Sequence, residues 1–170
     1  MKTLTEHLCQ YAAYHRDRRN VATHFVGIPM IVVGSATLLS RPSLALLGVG
    51  ITPAMLVVLG SILFYLRLDL RYGTAMAVFF GGALFPASWL ASQSTGLWLA
   101  GGLGLFAVGW VIQFIGHIFE GRKPAFVDDL VGLLIGPLFI TAEAGFMLGL
   151  RREVEAMVGE GARSPGAAQA

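Results

Sequence analysis

The sequence predicts an all-α fold: a polytopic membrane helical bundle of four to five transmembrane segments, preceded by a short N-terminal helix. Apolar residues make up 55% of the 170 residues and charged residues only 13%, whereas about a quarter of a typical soluble domain is charged. The charges also leave long gaps, the longest being the 48 residues from Tyr72 to Phe119. A bilayer core of about 30 Å needs about 20 helical residues, so this gap holds two spans.

The same composition excludes several classes of protein. Intrinsic disorder requires few apolar residues and many charges, so we expect it only in the tail, residues 159–170. The single cysteine, Cys9, excludes an internal disulfide framework and a four-cysteine zinc or iron–sulfur site. The net charge of +2 gives no indication of nucleic-acid binding. We therefore predict one integral-membrane domain over residues 1–158.

Five hydrophobic segments are predicted to be helices, at about residues 24–39, 43–66, 73–91, 97–119 and 130–150. Their unbroken apolar runs fit helices, because the strands of a membrane barrel alternate apolar and polar residues. The first segment is short and has Gly27 and Pro29 in its opening turns, so four full crossings and a partial one are the alternative. Before it we predict a short helix from about Leu4 to His15, and then a turn.

Basic residues near the span ends predict the orientation of the bundle. With five alternating spans and the N-terminus inside, eight basic residues lie inside and four outside. If one segment is re-entrant, Arg151 and Arg152 also move inside, and the bias increases. We therefore expect a multi-pass protein with its N-terminus on the cytoplasmic side.

Three of the four histidines lie at helix ends on this inner side: His15, His24 and His117. A continuous helix would place the first two on opposite faces, because nine steps of 100° leave 180°. With a turn at Asp17–Asn20 they can face each other. Asn20 fits that turn either as the N-cap of a helix beginning at Val21 or as a polar partner of the site. The fourth histidine, at position 7, is interpreted as a surface residue.

Three imidazoles on one membrane face favour a metal site. One histidine at an interface is more often a packed, hydrogen-bonded residue than a ligand, but neutral imidazole is the commonest metal ligand. A set of two or three histidines with open positions suits non-haem Fe(II), and zinc fits three histidines too. Glu120, three residues after His117, is a candidate carboxylate ligand. The favoured alternative is that it pairs with Arg122 or with the basic cluster Arg16–Arg19.

Glu143 is the only charged residue of the last segment. An unpaired carboxylate in an apolar run is costly, so we expect it to be protonated or hydrogen-bonded to another helix. Gln113, one turn before His117, is a candidate partner. The favoured interpretation of Glu143 is a structural polar clamp.

Two motifs resemble those of a known family. One joins the N-terminal histidines to a Gly-Ile-Pro sequence, and the other is a Gly-His sequence followed by Lys-Pro-Ala. Their residues are Tyr14-His15, Asn20, His24 and Gly27-Ile28-Pro29, then Gln113-Phe114-Ile115-Gly116-His117, Phe119-Glu120 and Lys123-Pro124-Ala125. Over about residues 5–150 the chain resembles the 2-hydroxy fatty acid dioxygenase family of fatty acid α-oxidation. The final Gly136–Phe139 stretch with Glu143 also resembles the last helix of that family.

The resemblance implies an Fe(II)-dependent membrane enzyme that shortens a long-chain 2-hydroxy fatty acid by one carbon, using O2 and releasing CO2. It implies that the catalytic, metal-binding histidines are His15, His24 and His117. Eukaryotic members lie in the endoplasmic reticulum, whereas the arginine-rich composition here favours a bacterial inner membrane.

Under this interpretation three basic residues are expected to meet the substrate carboxylate: Arg19, Arg122 and Lys123. Arginine is suited to a bidentate grip on a carboxylate, although each of the three could equally be a positive-inside anchor.

Two other functions remain open from the sequence. A non-catalytic membrane lipid-binding or carrier protein would use the histidines as interfacial anchors and bind no iron. A small transporter would line its path with Glu143 and Gln113, but the spans hold almost no other polar residues. The sequence carries no indication of the oligomeric state.

Overall fold

The computed structural model describes residues 2–46, 49–124 and 129–161. Over these ranges the chain forms seven helices and one two-stranded antiparallel hairpin. In chain order they are α1 (Leu4–Ala13), α2 (Arg18–Leu39), β1 (Leu44–Leu46), β2 (Val49–Ile51), α3 (Pro53–Leu68), α4 (Leu70–Ala91), α5 (Thr95–Glu120), α6 (Gly132–Met147) and α7 (Arg152–Gly161). The predicted all-α class is confirmed.

Three helices are long and apolar enough to cross a membrane. They are α2, α4 and α5, with 22, 22 and 26 residues, which correspond to about 33 to 39 Å at 1.5 Å per residue. Helices α6 and α7 make a fourth candidate only if they count as one span bent by 120°. The predicted helical membrane fold is confirmed, with three to four candidate spans among the described residues.

The predicted segment at 43–66 is not one helix. Its first part forms the β1–β2 hairpin, and α3 begins only at Pro53, after the N-cap Thr52. The Thr52 hydroxyl accepts a hydrogen bond from the backbone N–H of Met55. Proline lacks an N–H and is favoured at the first helical position, which explains this start. The 16 residues of α3 span about 24 Å, less than the bilayer core of about 30 Å.

The N-terminal helix and the break after it agree with the prediction, but α2 begins earlier than expected. Helix α1 opens with a capping box between Thr3 and Glu6. The side chain of Asp17 accepts a hydrogen bond from the backbone N–H of Arg19 at 2.8 Å, which caps the start of α2. Of the two roles considered for Asn20, that of N-cap is wrong, because Asn20 is the third residue of α2.

The chain divides into two compact units. The first comprises Met1–Phe25 and Gln113–Ala170, and therefore carries α1, α6, α7, the start of α2 and the end of α5. The second comprises Val26–Ile112. The single domain over residues 1–158 stays a prediction. Helix α7 continues into the first residues of the predicted tail, and residues 162–170 of that tail lie outside the described residues.

Within the second unit, α2 and α5 pack closely at two glycines. A Cβ atom on Gly34 would lie 2.6 Å from the backbone nitrogen of Phe106, and one on Gly109 would lie 2.8 Å from the carbonyl oxygen of Gly27. Such short distances leave no room for a side chain. Small residues therefore let the two backbones approach, as is common between membrane helices.

Candidate metal centre

Three buried histidines meet in the first unit. His15, His24 and His117 expose 4%, 2% and 7% of their surfaces. Each offers one ring nitrogen, and these three atoms lie within 4.8 Å of one another. The ring centroids are 4.5, 5.1 and 5.3 Å apart. The structure therefore brings together the three imidazoles that the sequence places on one membrane face.

Backbone carbonyl groups orient two of these rings. The Nδ1–H of His15 donates to the carbonyl oxygen of Tyr11 at 2.8 Å, and the Nδ1–H of His24 donates to that of Asn20 at 2.9 Å. A carbonyl oxygen can only accept, so the proton of each neutral ring is on Nδ1 and the lone pair is on Nε2. Metal-binding histidines are typically held in this way.

The Nε2 atoms of His15 and His24, which carry the lone pairs, are 3.0 Å apart. Two lone pairs at this separation repel each other unless a cation lies between them. Burial and the neighbouring imidazole of His24 lower the pKa of His15 to about 2, because the charged ring would lose its hydration and face a second ring of the same kind. At neutral pH a metal ion therefore suits this position better than a proton, and the residues fit a metal.

Two aromatic rings enclose His15. Tyr11 stacks on it with ring centroids 4.1 Å apart and an angle of 4° between the planes. Phe139 of α6 lies 5.0 Å from the Tyr11 ring and 5.7 Å from the His15 ring. This packing accounts for the burial of His15 and fixes the plane of its imidazole.

Glu120, the last residue of α5, holds the turn between the first two histidines. Its carboxylate accepts hydrogen bonds from the backbone N–H groups of Arg16 and Asp17, both at 2.9 Å, and from the side-chain amide of Asn20 at 3.1 Å. Hydrogen bonds to a carboxylate are stronger than those between neutral groups, and the start of α2 favours negative charge. Among the described residues, the group of candidate ligands consists of the three histidines without Glu120.

Gly116 allows the end of α5 to approach α2 beside His117. A Cβ atom at this position would collide with Thr23 Oγ1 and Asn20 Oδ1. Around this contact, three buried polar atoms have no hydrogen-bond partner among the described residues: Asn20 Oδ1, Gln113 Oε1 and His117 Nδ1. Buried polar atoms normally have a partner, so their concentration here also fits a site that binds a further group.

The predicted carboxylate-binding residues all belong to the first unit. The guanidinium group of Arg19 pairs with Asp17 at 2.8 Å and lies 4.6 Å from the centre of the Phe119 ring. Arg122 donates to the carbonyl oxygen of Ala13 at 3.2 Å, and Lys123 is exposed. Their contact with a substrate stays a prediction.

Gln113 and Glu143 are not hydrogen-bonded to each other in the described part of the chain. Gln113 is buried, with 4% of its surface exposed, and its side-chain oxygen has no partner there. Glu143 is half-buried. Gln113 is therefore not the hydrogen-bond partner of Glu143 in the described part of the chain.

A small polar cavity, which the sequence analysis missed, lies beside Tyr11. It has a volume of about 20 Å³, enough for one water molecule. Its lining consists of His7, Gln10, Tyr11, Tyr14, Asp129, Gly132 and Ile135. The expectation that His7 is a surface residue is wrong, since only 8% of it is exposed. Positions 7 and 11 are four residues apart and share one face of α1, a spacing that could have indicated this burial.

Comparison with known proteins identifies the family. A family model described as 2-hydroxy-palmitic acid dioxygenase Mpo1-like matches residues 1–148. The chain belongs to the Mpo1-like family. Among curated Mpo1-like proteins, the 2-hydroxy-palmitic acid dioxygenase MPO1 of Saccharomyces cerevisiae is 36% identical over 148 residues, which cover 86% of this chain and 82% of the yeast protein. No solved structure matches the chain. The resemblance found in the histidine motifs is thus confirmed for this Mpo1-like chain.

Proposed function

We propose that this chain is an Fe(II)-dependent dioxygenase that shortens long-chain 2-hydroxy fatty acids by one carbon with O2 and releases CO2. The metal is inferred from the histidine group, in which the Nε2 atoms of His15 and His24 face each other at 3.0 Å. Three neutral imidazoles with open positions are a donor set for non-haem iron. The substrate class is taken from the family description and from the name of the yeast relative.

The overall reaction needs no further oxidant or reductant. In RCH(OH)COO⁻ + O2 → RCOO⁻ + CO2 + H2O, atoms and charge balance. Cleavage of the bond between the first two carbons oxidises the substrate by four electrons, and O2 accepts all four. The two hydrogens of the CH–OH group end in water. His15, His24 and His117 would hold the metal, which would supply Lewis-acid binding of the substrate and activation of O2.

The residues around the histidines would position and shield this chemistry. The carbonyl groups of Tyr11 and Asn20 hold two Nε2 atoms toward one point, which preorganises the ligands. Stacked aromatic rings exclude water from the His15 side. Arg19 and Arg122 would add positive charge for the substrate carboxylate, and the acyl chain would lie in hydrocarbon, where each buried methylene contributes about 0.8 kcal/mol.

The proposed metal centre would lie at one membrane surface. His24 is the seventh residue of α2, and His117 is the fourth from the end of α5, so both lie within about two turns of the end of a candidate span. We propose that this end faces the cytoplasm, because the excess of basic residues lies there. In a bacterium the membrane would be the inner membrane.

The test is oxygen uptake by the purified protein after anaerobic loading with Fe(II). Addition of a long-chain 2-hydroxy fatty acid should cause O2 uptake, with CO2 and the acid one carbon shorter formed in equal amounts. The unhydroxylated acid and a zinc-loaded sample are the controls. Bound iron without uptake would reject the substrate, whereas absence of both would reject the metal centre and favour the lipid-binding alternative.

Variants connect this activity to the histidine group. Replacing His15, His24 or His117 by alanine should abolish iron binding and turnover without unfolding the protein. His7→Gln is the matched control for iron content, because His7 is also a buried histidine but lies in α1, outside the group. Retained iron and turnover in any two of the three alanine variants would refute the assignment.

A further inference from the structure

Both ends of the α6–α7 pair lie against the same short helix, α1. At the start of α6, Gly132 lines the small cavity together with Tyr14. At the other end, α7 packs on α1, and the thiol of Cys9 donates to the carbonyl oxygen of Met157 at 3.6 Å. Helix α1 has 10 residues and is therefore about 15 Å long, half the thickness of a bilayer core. The two ends of the pair therefore cannot lie on opposite sides of a membrane.

The turn between these helices has the geometry of a tight reversal. The two helix axes are bent by 120°. Gly149 and Arg151 have φ values of +73° and +53°, in the left-handed region that glycine adopts readily. The backbone N–H of Leu150 donates to the carbonyl oxygen of Gly145 at 2.9 Å. This is the 6→1 hydrogen bond of a Schellman motif, which ends a helix at a glycine.

The reversal exposes apolar side chains. Met147, Leu148 and Leu150 are 80%, 76% and 56% exposed, and two arginines follow them directly. Beyond the arginines, α7 buries Val154 and Val158 and exposes three glutamates, Glu153, Glu155 and Glu160. The apolar residues of the turn, the arginines and the acidic helix α7 follow one another along the chain. Their order matches that of the membrane layers that each would contact: hydrocarbon, lipid headgroups and water.

We infer that the α6–α7 turn dips into the bilayer leaflet on the side of α1 and returns, so that α6 does not cross the membrane. The occupant of the apolar surface formed by Met147, Leu148 and Leu150 is lipid hydrocarbon, and exposed Arg152 meets the lipid phosphates beside it. The insertion is shallow, because the Glu153 side chain, three residues after Leu150, is 62% exposed, and a carboxylate is costly in hydrocarbon. Residues Arg151 to Gly161 then lie on the side of the N-terminus, which rules out five alternating crossings.

Cysteine labelling in sealed vesicles of one orientation tests this inference. In a full-length Cys9→Ala background, single cysteines replace Arg18 at the start of α2, Gly96 at the start of α5, Ala156 on the exposed face of α7 and Leu148 at the tip. A membrane-impermeant maleimide should label the position 156 cysteine from the same side as the position 18 cysteine. The position 96 cysteine should be labelled from the opposite side. Labelling of position 156 from the side of position 96 would overturn the inference, since α6 would then cross.

The tip position distinguishes lipid from other occupants. In vesicles the position 148 cysteine should resist the impermeant reagent from both sides and react after solubilisation in detergent. A fluorophore attached there should be quenched by brominated lipid, whereas one on position 156 should not. Labelling of position 148 as fast as position 156 in intact vesicles, or absence of quenching, would refute insertion. Both readouts are independent of metal content and turnover, so they test the inference separately from the proposed function.

Discussion

The Glu120 carboxylate should determine how tightly the histidine group binds a metal. It connects the end of the helix that carries His117 to the turn between His15 and His24 through the N–H groups of Arg16 and Asp17 and the amide of Asn20. One hydrogen bond to a charged group contributes about 1.5 to 3 kcal/mol when buried. Because this carboxylate is partly exposed, we expect the whole set to contribute only about 2 kcal/mol.

Replacing Glu120 by alanine should therefore lower the thermal stability of the detergent-solubilised protein and loosen the spacing of the histidines. Loss of a group that orients metal ligands typically costs about 10- to 100-fold in metal affinity. Glu120→Gln should be intermediate, since its amide keeps one acceptor oxygen but not the charge. The assay is anaerobic titration with Fe(II), or with Co(II) followed by its absorption spectrum.

Glu6→Gln is the matched control for this prediction. It removes a negative charge from the first turn of α1, where negative charge stabilises a helix, but Glu6 makes no contact with the turn at Glu120 in the described part of the chain. It should lower stability and leave the metal affinity unchanged. Equal losses of affinity in Glu6→Gln and Glu120→Ala, or an unchanged affinity in Glu120→Ala, would refute the reasoning.

Two further predictions concern packing and pH. Gly116→Ala should lower metal content and destabilise the protein by about 1 to 3 kcal/mol, because the new methyl group collides with Thr23 and Asn20. Gly104→Ala, where a Cβ meets no neighbour, should leave the metal content unchanged and should not lower the unfolding temperature, because alanine is the better helix former. Burial lowers the pKa of His7 below its ordinary value of 6.5. The neutral His7 side chain therefore contributes its full share to the free energy of unfolding above pH 6.5. This contribution is lost as the pH falls from 6.5 toward the folded-state pKa, at a rate of at most about 1.4 kcal/mol per pH unit. The fall in unfolding temperature of the metal-free protein below pH 6.5 should thus be smaller in His7→Gln, and an identical pH profile would contradict this explanation.

Local patterns predicted much of the fold. The charge-free runs indicate where α4 and α5 lie, because a long apolar run in a membrane protein has few alternatives to a helix. The segment at 43–66 shows the limit of this argument, since a short apolar stretch is compatible with a strand or a helix. There the hairpin replaces the first turns of the expected helix, and the N-cap residue Thr52 followed by Pro53 indicates where α3 begins.

The histidine group was predictable because two local rules place it. Helical geometry requires a break between His15 and His24, and hydropathy brings the end of the fourth apolar segment to the same membrane face. The hydrogen-bond partners of Glu120 were harder to predict from the sequence. A glutamate next to a basic cluster suggests pairing with arginine side chains, whereas the carboxylate accepts backbone N–H groups, which every residue carries and which no sequence pattern distinguishes.

Composition and periodicity were thus sufficient to predict the membrane class and most of the helical segments, because these properties depend on residues that are neighbours in the chain. The three imidazoles that can share a metal were predictable because hydropathy assigns the ends of separate spans to the same membrane face. Contacts between distant segments were not accessible in this way. The bonds from Arg16 to Glu120 and from Cys9 to Met157 join residues 104 and 148 positions apart, and the burial of His7 depends on which helix packs over α1. Side-chain packing between helices selects such contacts. Sequence patterns do not reveal them, because packing depends on shape complementarity between whole surfaces.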